Sequence, residues 1–444
     1  MMKVLIIGGG WAGIAAAMQA TRNGWQVELV EERPYLGGRA RSFVDRTTGD
    51  EIDNGQHVMM GCYSELLRVL DDLGTASLLE RQAALRVAFV DTLRRRDVLD
   101  AGLLPGRLGM VFGLMRLKGL RLASRLAIIR LAVSVMLRRS IGRGQTCADL
   151  LMNSGQPSEA ITRFWEPLIL ATLNAPIDLA SAEMLAAVLR LAFFGSTTDA
   201  QLLIPTVGLS RLIDPLPEWL AARGGRVRTS VSIDRLVVDN GTVVEAWASD
   251  GTQMDVDAVV CAMPYRALAR LAANSDLHLP DTMEASMSPI VSVYLWYDRT
   301  WMDLDLVSAL GTTVQWVFNK RRIAPGLVAL TVSAADDVVA KSSEEVIGAC
   351  DRELRTLFGD ALDGVLLRNG IVIKEKSATP CITPEVHARR WGADAIGRVV
   401  ANVGIAGDWT QTGLPATLEG AARSGVAAIA SVAQALPGGQ RVRR

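Results

Sequence analysis

The residues with the clearest chemistry lie near the start of the chain. Gly8, Gly10 and Gly13 follow a G-x-G-x-x-G spacing, and Glu31 comes 23 residues after the first of them. Together they describe a grip for phosphate and ribose. Gly8 permits a tight turn, Gly10 lets backbone approach a pyrophosphate, and Gly13 lets a helix pack closely on a strand. A helix opening there aims unpaired N–H groups and the positive end of its dipole at phosphate. A carboxylate placed as Glu31 is accepts hydrogen bonds from a ribose. Such glycines also occur in ordinary turns, so the weight rests on the elements that carry them. Residues 4–7 are a short apolar run, the pattern of a strand buried on both faces. Residues 14–21 are Ala-rich and read as helix, and 26–30 read as a second strand ending at Glu31.

Composition bounds what this grip can serve. The chain has 444 residues, half of them hydrophobic, with Lys+Arg and Asp+Glu equal at 47 each. That length calls for two or more structural units, and the balanced charge gives no support for a nucleic-acid partner. Cys62, Cys147, Cys261, Cys350 and Cys381 are scattered without a C-x-x-C pair. Reduced cytoplasmic thiols and no metal site are therefore expected. No run of about 18 uncharged apolar residues occurs, so no spanning helix is expected. The apolar start is read as the first strand and helix rather than a leader.

Beyond Glu31 the chain continues E-x-R-x-x-x-G-G-R through Arg33, Gly37, Gly38 and Arg39. With this it resembles the flavoprotein superfamily of amine oxidases and phytoene desaturases. The resemblance implies FAD, held at this end by the glycines with Trp11 and Ala12, by Glu31, Glu32 and Arg33, and by Gly38, Arg39 and Ala40. It implies an α/β fold with a Rossmann-like FAD-binding domain drawn from 1–82, 200–270 and 395–440. An inserted α+β substrate domain, 83–199 and 271–394, would carry an antiparallel sheet and a helical, basic amphipathic region. The β-branched and alternating runs at 288–297, 313–319 and 327–333 fit that sheet, and Asn240-Gly241 between apolar runs marks a hairpin.

Three later stretches enter through the same resemblance. In Asp53-Asn54-Gly55-Gln56-His57, a turn brings Gly55, Gln56 and His57 toward the flavin. Val231 lies against adenine. The closing motif, Gly407-Asp408 and then Pro415-Ala416-Thr417, brings an aspartate and a helix N-terminus to the cofactor, where a positive dipole end suits the charge of reduced flavin. His57 is the candidate general acid, the alternative being a histidine satisfied by backbone in a tight loop. Glu166, in a Trp-Glu-Pro-Leu helix, is a second candidate, the alternative being an ordinary surface glutamate.

The phrases IDNGQHVMMGCY and GIAGDWTQTGLPATLEGAARSG are more specific. They resemble the hydroxysqualene dehydroxylases, which implies hydride transfer from reduced FAD to hydroxysqualene, releasing squalene. Alternatives are a carotenoid-type desaturase, which moves hydride the other way, an amine oxidase, which wants an aromatic cage, and a non-catalytic FAD-stabilised scaffold. A second dinucleotide motif is absent, so an external electron donor is expected. Residues 107–143 hold nine basic residues and no acidic one among Leu, Ile, Met and Val. That pattern suits a membrane surface, here the inner face of the cytoplasmic membrane; the alternative is a packed helix with arginine stems lying over it.

Overall fold

The computed structural model describes residues 1–104, 106–137, 143–193, 195–275, 277–280 and 285–435. Arg138 and Arg139 of the basic run, Phe194 at the end of the Ala- and Leu-rich run 183–194, and 436–440 of the expected cofactor domain lie outside them.

Strand β1 (Lys3–Ile7) is buried from Val4 onward, which is why it reads as an unbroken apolar run. Helix α1 (Trp11–Arg22) returns the chain to β2 (Gln26–Glu31), which pairs with β1 in parallel. Three distant segments complete the sheet: β3 (Arg226–Thr229), β4 (Ala258–Cys261) and β5 (Val403–Ile405), in the order β3-β2-β1-β4-β5. All four pairings are parallel, so both faces need cover and the strands are apolar throughout. Helix α2 (Ser64–Leu73) adds Leu66, Val69, Leu70 and Leu73 to this core and stops at Gly74, whose φ of 73° suits glycine.

A seven-stranded sheet runs Leu367–Pro380, Met287–Tyr297, Leu327–Ser333, Trp316–Asn319, Leu306–Leu310, Arg86–Asp91, Arg96–Asp100. Its pairings are antiparallel except that of Leu306–Leu310 with Arg86–Asp91. The charged strand at 370–379 is an edge, as its composition suggests. Helices α3 (Arg107–Met115), α4 (Leu122–Met136) and α5 (Ala182–Phe193) surround a second core with Trp165 at its centre.

Two stretches whose sequence reads as one helix each are broken. The one at 157–173 contains a wide π turn, Ile161–Trp165, before Glu166–Leu173. The one ending near 223 is a 3₁₀ turn, Leu209–Leu212, followed by Leu216–Ala221. Pro215 stands between the two pieces, where it can start a helix and cannot continue one.

The last helix, α6 (Leu418–Ala435), crosses α1 so closely that a Cβ on Gly425 would lie 2.1 Å from the Ala12 carbonyl oxygen. Glu419, fully buried, accepts from Leu66 N at 3.0 Å, Glu65 N at 3.3 Å and Ser64 Oγ at 3.2 Å. It also pairs with Arg423 at 2.6 Å. A carboxylate from the end of the chain thus caps α2 near its beginning, where negative charge suits the helix dipole.

Candidate functional site

The three glycines do different work. Gly8 has φ +110°, and a Cβ there would meet the Ala262 carbonyl oxygen at 2.3 Å. A Cβ on Gly13 would lie 1.8 Å from the Gly8 carbonyl oxygen, so Gly13 serves the contact of α1 with the β1 turn. Gly10 has no neighbour within 4 Å of its would-be Cβ; it lines an open cavity at the start of α1. The first-turn amides of a helix have no acceptor within it. The Glu31 carboxylate accepts from Gly9 N at 2.6 Å and Arg33 N at 2.8 Å, holding the turn and the end of β2 together.

The closing segment meets this end across the cavity. Arg39 pairs with Asp408 at 2.7 Å and donates to the Ala378 carbonyl. Asp408 beside it raises the Arg39 pKa further, and the exposed part of Arg39 faces the cavity. The turn at Gly407 is fixed by its amide to Ser424 Oγ, 2.8 Å. Pro415, Ala416, Thr417 and Leu418 bring the N-terminus of α6 to the same cavity. Two helix N-termini, a buried carboxylate and a glycine that leaves room for a ligand therefore converge on one space. This donor set fits a dinucleotide with its diphosphate.

Of the residues singled out from sequence, Gly8, Gly10, Trp11 and Ala12 line the cavity, as do Glu31, Glu32, Arg33, Gly38, Arg39 and Ala40. Gln56, His57 and Val231 line it from two other directions, and Gly407, Asp408, Pro415, Ala416 and Thr417 from a third. Gly13 and Gly55 are not on its wall: Gly13 is spent on packing, and a Cβ on Gly55 would lie 3.6 Å from Ser292 Oγ. Glu166 is also off the wall, although its neighbours Trp165 and Pro167 are on it. Burial raises the Glu166 pKa, but a carboxyl turned away from the cavity has no proton to deliver there.

His57 does face the cavity. Its Nδ1 lies 3.0 Å from the Gly55 carbonyl oxygen, and a carbonyl only accepts, so the neutral ring carries its proton on Nδ1 and leaves Nε2 bare. Burial is the main influence and lowers the His57 pKa. The resting ring is neutral: it accepts a proton at Nε2, and donates one only after being charged against that burial.

Behind His57 lies a buried network that single-sequence reasoning missed. Asp53 accepts from Ser42 Oγ at 2.8 Å and Leu209 N at 3.0 Å, with Lys320 Nζ at 3.5 Å. Burial lowers the Lys320 pKa, opposed by Asp53. The buried Tyr294 hydroxyl bonds the Asp53 backbone and receives the Gln56 side-chain amide. The Gln56-His57 turn is thereby fastened to the seven-stranded sheet. Cys62 also touches the cavity, but burial pushes its thiol up to about 12, so it is no nucleophile at neutral pH.

Comparison with known proteins agrees with this geometry. Residues 11–433 match the family described as flavin containing amine oxidoreductase. The chain belongs to that family and is an FAD-dependent oxidoreductase. Within it, the chain falls among the hydroxysqualene dehydroxylases: that of Sinorhizobium fredii is 31% identical over 431 residues, 95% of this chain and 96% of the relative. A zeta-carotene desaturase of Zea mays is 32% identical, over 51% of this chain and 41% of its own length. Among solved structures, an oxidoreductase from Methanosarcina mazei superposes with a TM-score of 0.74 at 17% identity, covering 98% of this chain and 100% of its own. At that identity it speaks for the fold alone.

Proposed function

We propose that this enzyme reduces hydroxysqualene to squalene. The observation that carries the reading is one continuous cavity of about 2060 Å³. It runs from Gly10 and Glu31 to an apolar chamber walled by Leu85, Val87, Phe89, Leu99, Leu114 and Ile128. Drug-sized ligands occupy about 300–1,000 Å³, so the space suits a dinucleotide and a long hydrocarbon together.

Bound FAD supplies hydride when reduced and accepts it when oxidised. The chain's part is to hold the nucleotide, orient the hydrocarbon, exclude water and manage the proton. Apolar walls tolerate cationic character at a carbon losing hydroxide. Hydroxide is a poor leaving group, so a proton must reach it. His57 is the proposed carrier, through Nε2. Because burial lowers its pKa from 6.5, the charged form is a minority at pH 7, and dehydroxylation should quicken as pH falls.

One observation favours a second reading, desaturation of a polyprenyl hydrocarbon: neutral His57 is ready to accept the proton that hydride loss from carbon releases. Anaerobic mixing separates the two. Reduced holoenzyme with hydroxysqualene should yield squalene by mass spectrometry together with oxidised flavin. Bleaching of oxidised holoenzyme by phytoene without that product would replace the reading, and no flavin change with either lipid would point to a non-catalytic scaffold. An external donor must re-reduce the flavin.

The same proposal includes docking on the inner face of the cytoplasmic membrane. Among the described residues, ten of the twenty exposed large hydrophobic ones fall between 103 and 137, including Leu108, Phe112, Leu122 and Leu126. Arg116, Lys118, Arg121 and Arg130 are exposed around them. Arg125 is not available, since it donates to the Leu120 and Met115 carbonyls. Val111, Val133 and Met136 are both exposed and cavity-lining, so the mouth opens within this face. No described helix is long and apolar enough to cross a bilayer. Co-flotation with anionic but not zwitterionic vesicles, lost in Leu108→Glu/Leu126→Glu, is the expected result; equal flotation of both proteins would sink the docking face.

A further inference from the structure

Arg390 is a buried cation that nothing above explains. It is 6% exposed and its nitrogens point at the loop joining β5 to α6. Nε donates to the Trp409 carbonyl at 3.1 Å. One terminal nitrogen donates to the Leu414 carbonyl at 2.7 Å and lies 3.6 Å from the Met184 sulfur. The other donates to the Asp408 carbonyl at 3.0 Å and to that of Thr410. Five N–H donors meet five acceptors, and none of the acceptors is a carboxylate. Burial brings its pKa down to about 10, which leaves it charged at neutral pH.

A charge buried among neutral carbonyls is costly unless another charge offsets it. Asp408 is near, but its carboxylate is engaged by Arg39. Arg39 also feels Glu375, which lines the cavity. Arg39, Asp408 and Glu375 by themselves sum to one negative charge, a poor wall for a polyanionic ligand. Arg390 brings the group to neutrality. The loop between them cannot relax away. A Cβ on Gly407 would strike Trp409 at 2.4 Å, Trp409 Nε1 donates to the Met263 carbonyl at 2.9 Å, and Thr410 Oγ1 to that of Gly407 at 2.8 Å. Asp408, Trp409 and Leu414 of this loop line the cavity.

We propose that Arg390 is a positioning residue for the redox end of the cofactor. It shapes the 408–414 loop, and through that loop its charge favours the reduced cofactor, which carries one more negative charge than the oxidised form. The proposal rests on FAD lying along the wall that begins at Gly10.

The test uses FAD-loaded enzyme carrying Arg390→Met or Arg390→Lys, read by the midpoint potential of the bound flavin and by FAD affinity. A charge acting across a few ångströms of protein changes an equilibrium by about tenfold or more. For a two-electron couple that is about 30 mV. Arg390→Met should lower the potential by at least this much. Arg390→Lys should keep the potential near wild type while binding FAD less tightly, because the five-donor fork that shapes the loop is gone. A purely structural role would lower affinity in both and move the potential in neither, which would overturn the proposal. Should Arg390→Met not fold, Asp408→Asn supplies the opposite sign: its potential must rise, and a fall would be equally fatal. Gly10→Ala separates the premise from the inference. If it retains FAD, the placement of the cofactor falls; if it loses FAD while Arg390→Met keeps its potential, only the role of Arg390 falls.

Discussion

Gly10→Ala divides stability from binding more cleanly than any other single change here. Gly10 has φ −74° and ψ 176°, an extended conformation open to any residue, and the added methyl meets nothing within 4 Å. Replacing glycine at a permissive position stabilises by about 0.4–1 kcal/mol through the unfolded chain. Alanine is a poorer N-cap than glycine by a similar amount. The two nearly cancel, so the cofactor-free protein should unfold within about 1 kcal/mol of wild type. The holoenzyme should not escape so lightly. The methyl stands where backbone would approach a diphosphate, and displacing two hydrogen bonds to a charged group, at about 1.5–3 kcal/mol each, weakens FAD by about 10²–10⁴-fold. Denaturant melts of the apoprotein and a fluorescence titration with FAD measure the two quantities. Gly13→Ala is the contrast, because its methyl would lie 1.8 Å from a carbonyl oxygen and must disturb the fold itself. A Gly10→Ala enzyme purified with full FAD and wild-type affinity would refute the assignment of this wall to the nucleotide.

Two further outcomes follow from buried charge. Asp53→Asn leaves Lys320 buried without its carboxylate and should cost about 3–5 kcal/mol; Asp53→Asn/Lys320→Met should recover much of that in denaturant melts, and equal loss in both would remove the pair from the account. His57 has a folded pKa below its unfolded value near 6.5, so its contribution to stability is present above pH 6.5 and is lost as pH falls through the folded value. Melts of wild type against His57→Asn across about pH 5–8 should diverge at the acid end, and parallel curves would contradict the burial argument.

Legibility from sequence tracked the range of the interactions. The G-x-G-x-x-G turn, α1 and β2 are fixed by neighbours within about thirty residues, and the pattern shows them directly. Arg39 and Asp408 were each visible through motif resemblance, but their pairing across 369 residues was not. Arg390 carries no local signal, because its acceptors lie in a loop that returns 18–24 residues later and at Met184, 206 residues earlier. Arg86–Asp91 was missed as a strand: it is only half buried and gains its place from parallel pairing with Leu306–Leu310. Glu166 failed for a simpler reason, since a helix turns about 100° per residue and its neighbours took the inward positions.

The parallel sheet also has a consequence for synthesis. The central strand β1 precedes its partner β4, near 258, by some 250 residues, and β5, which pairs with β4, lies near 403. At roughly 5–20 residues per second of translation, β1 waits about 12–50 s for β4, and β5 follows some 7–30 s later. During that interval its apolar edge has no native partner on that side, so the nascent chain depends on transient cover by β2, α1 or a chaperone. Asp408 must then be made before it can pair with Arg39, and Glu419 of the last helix before it can cap α2. A cofactor site that needs both Arg39 and Asp408 is therefore incomplete until the segment carrying Asp408 has been made.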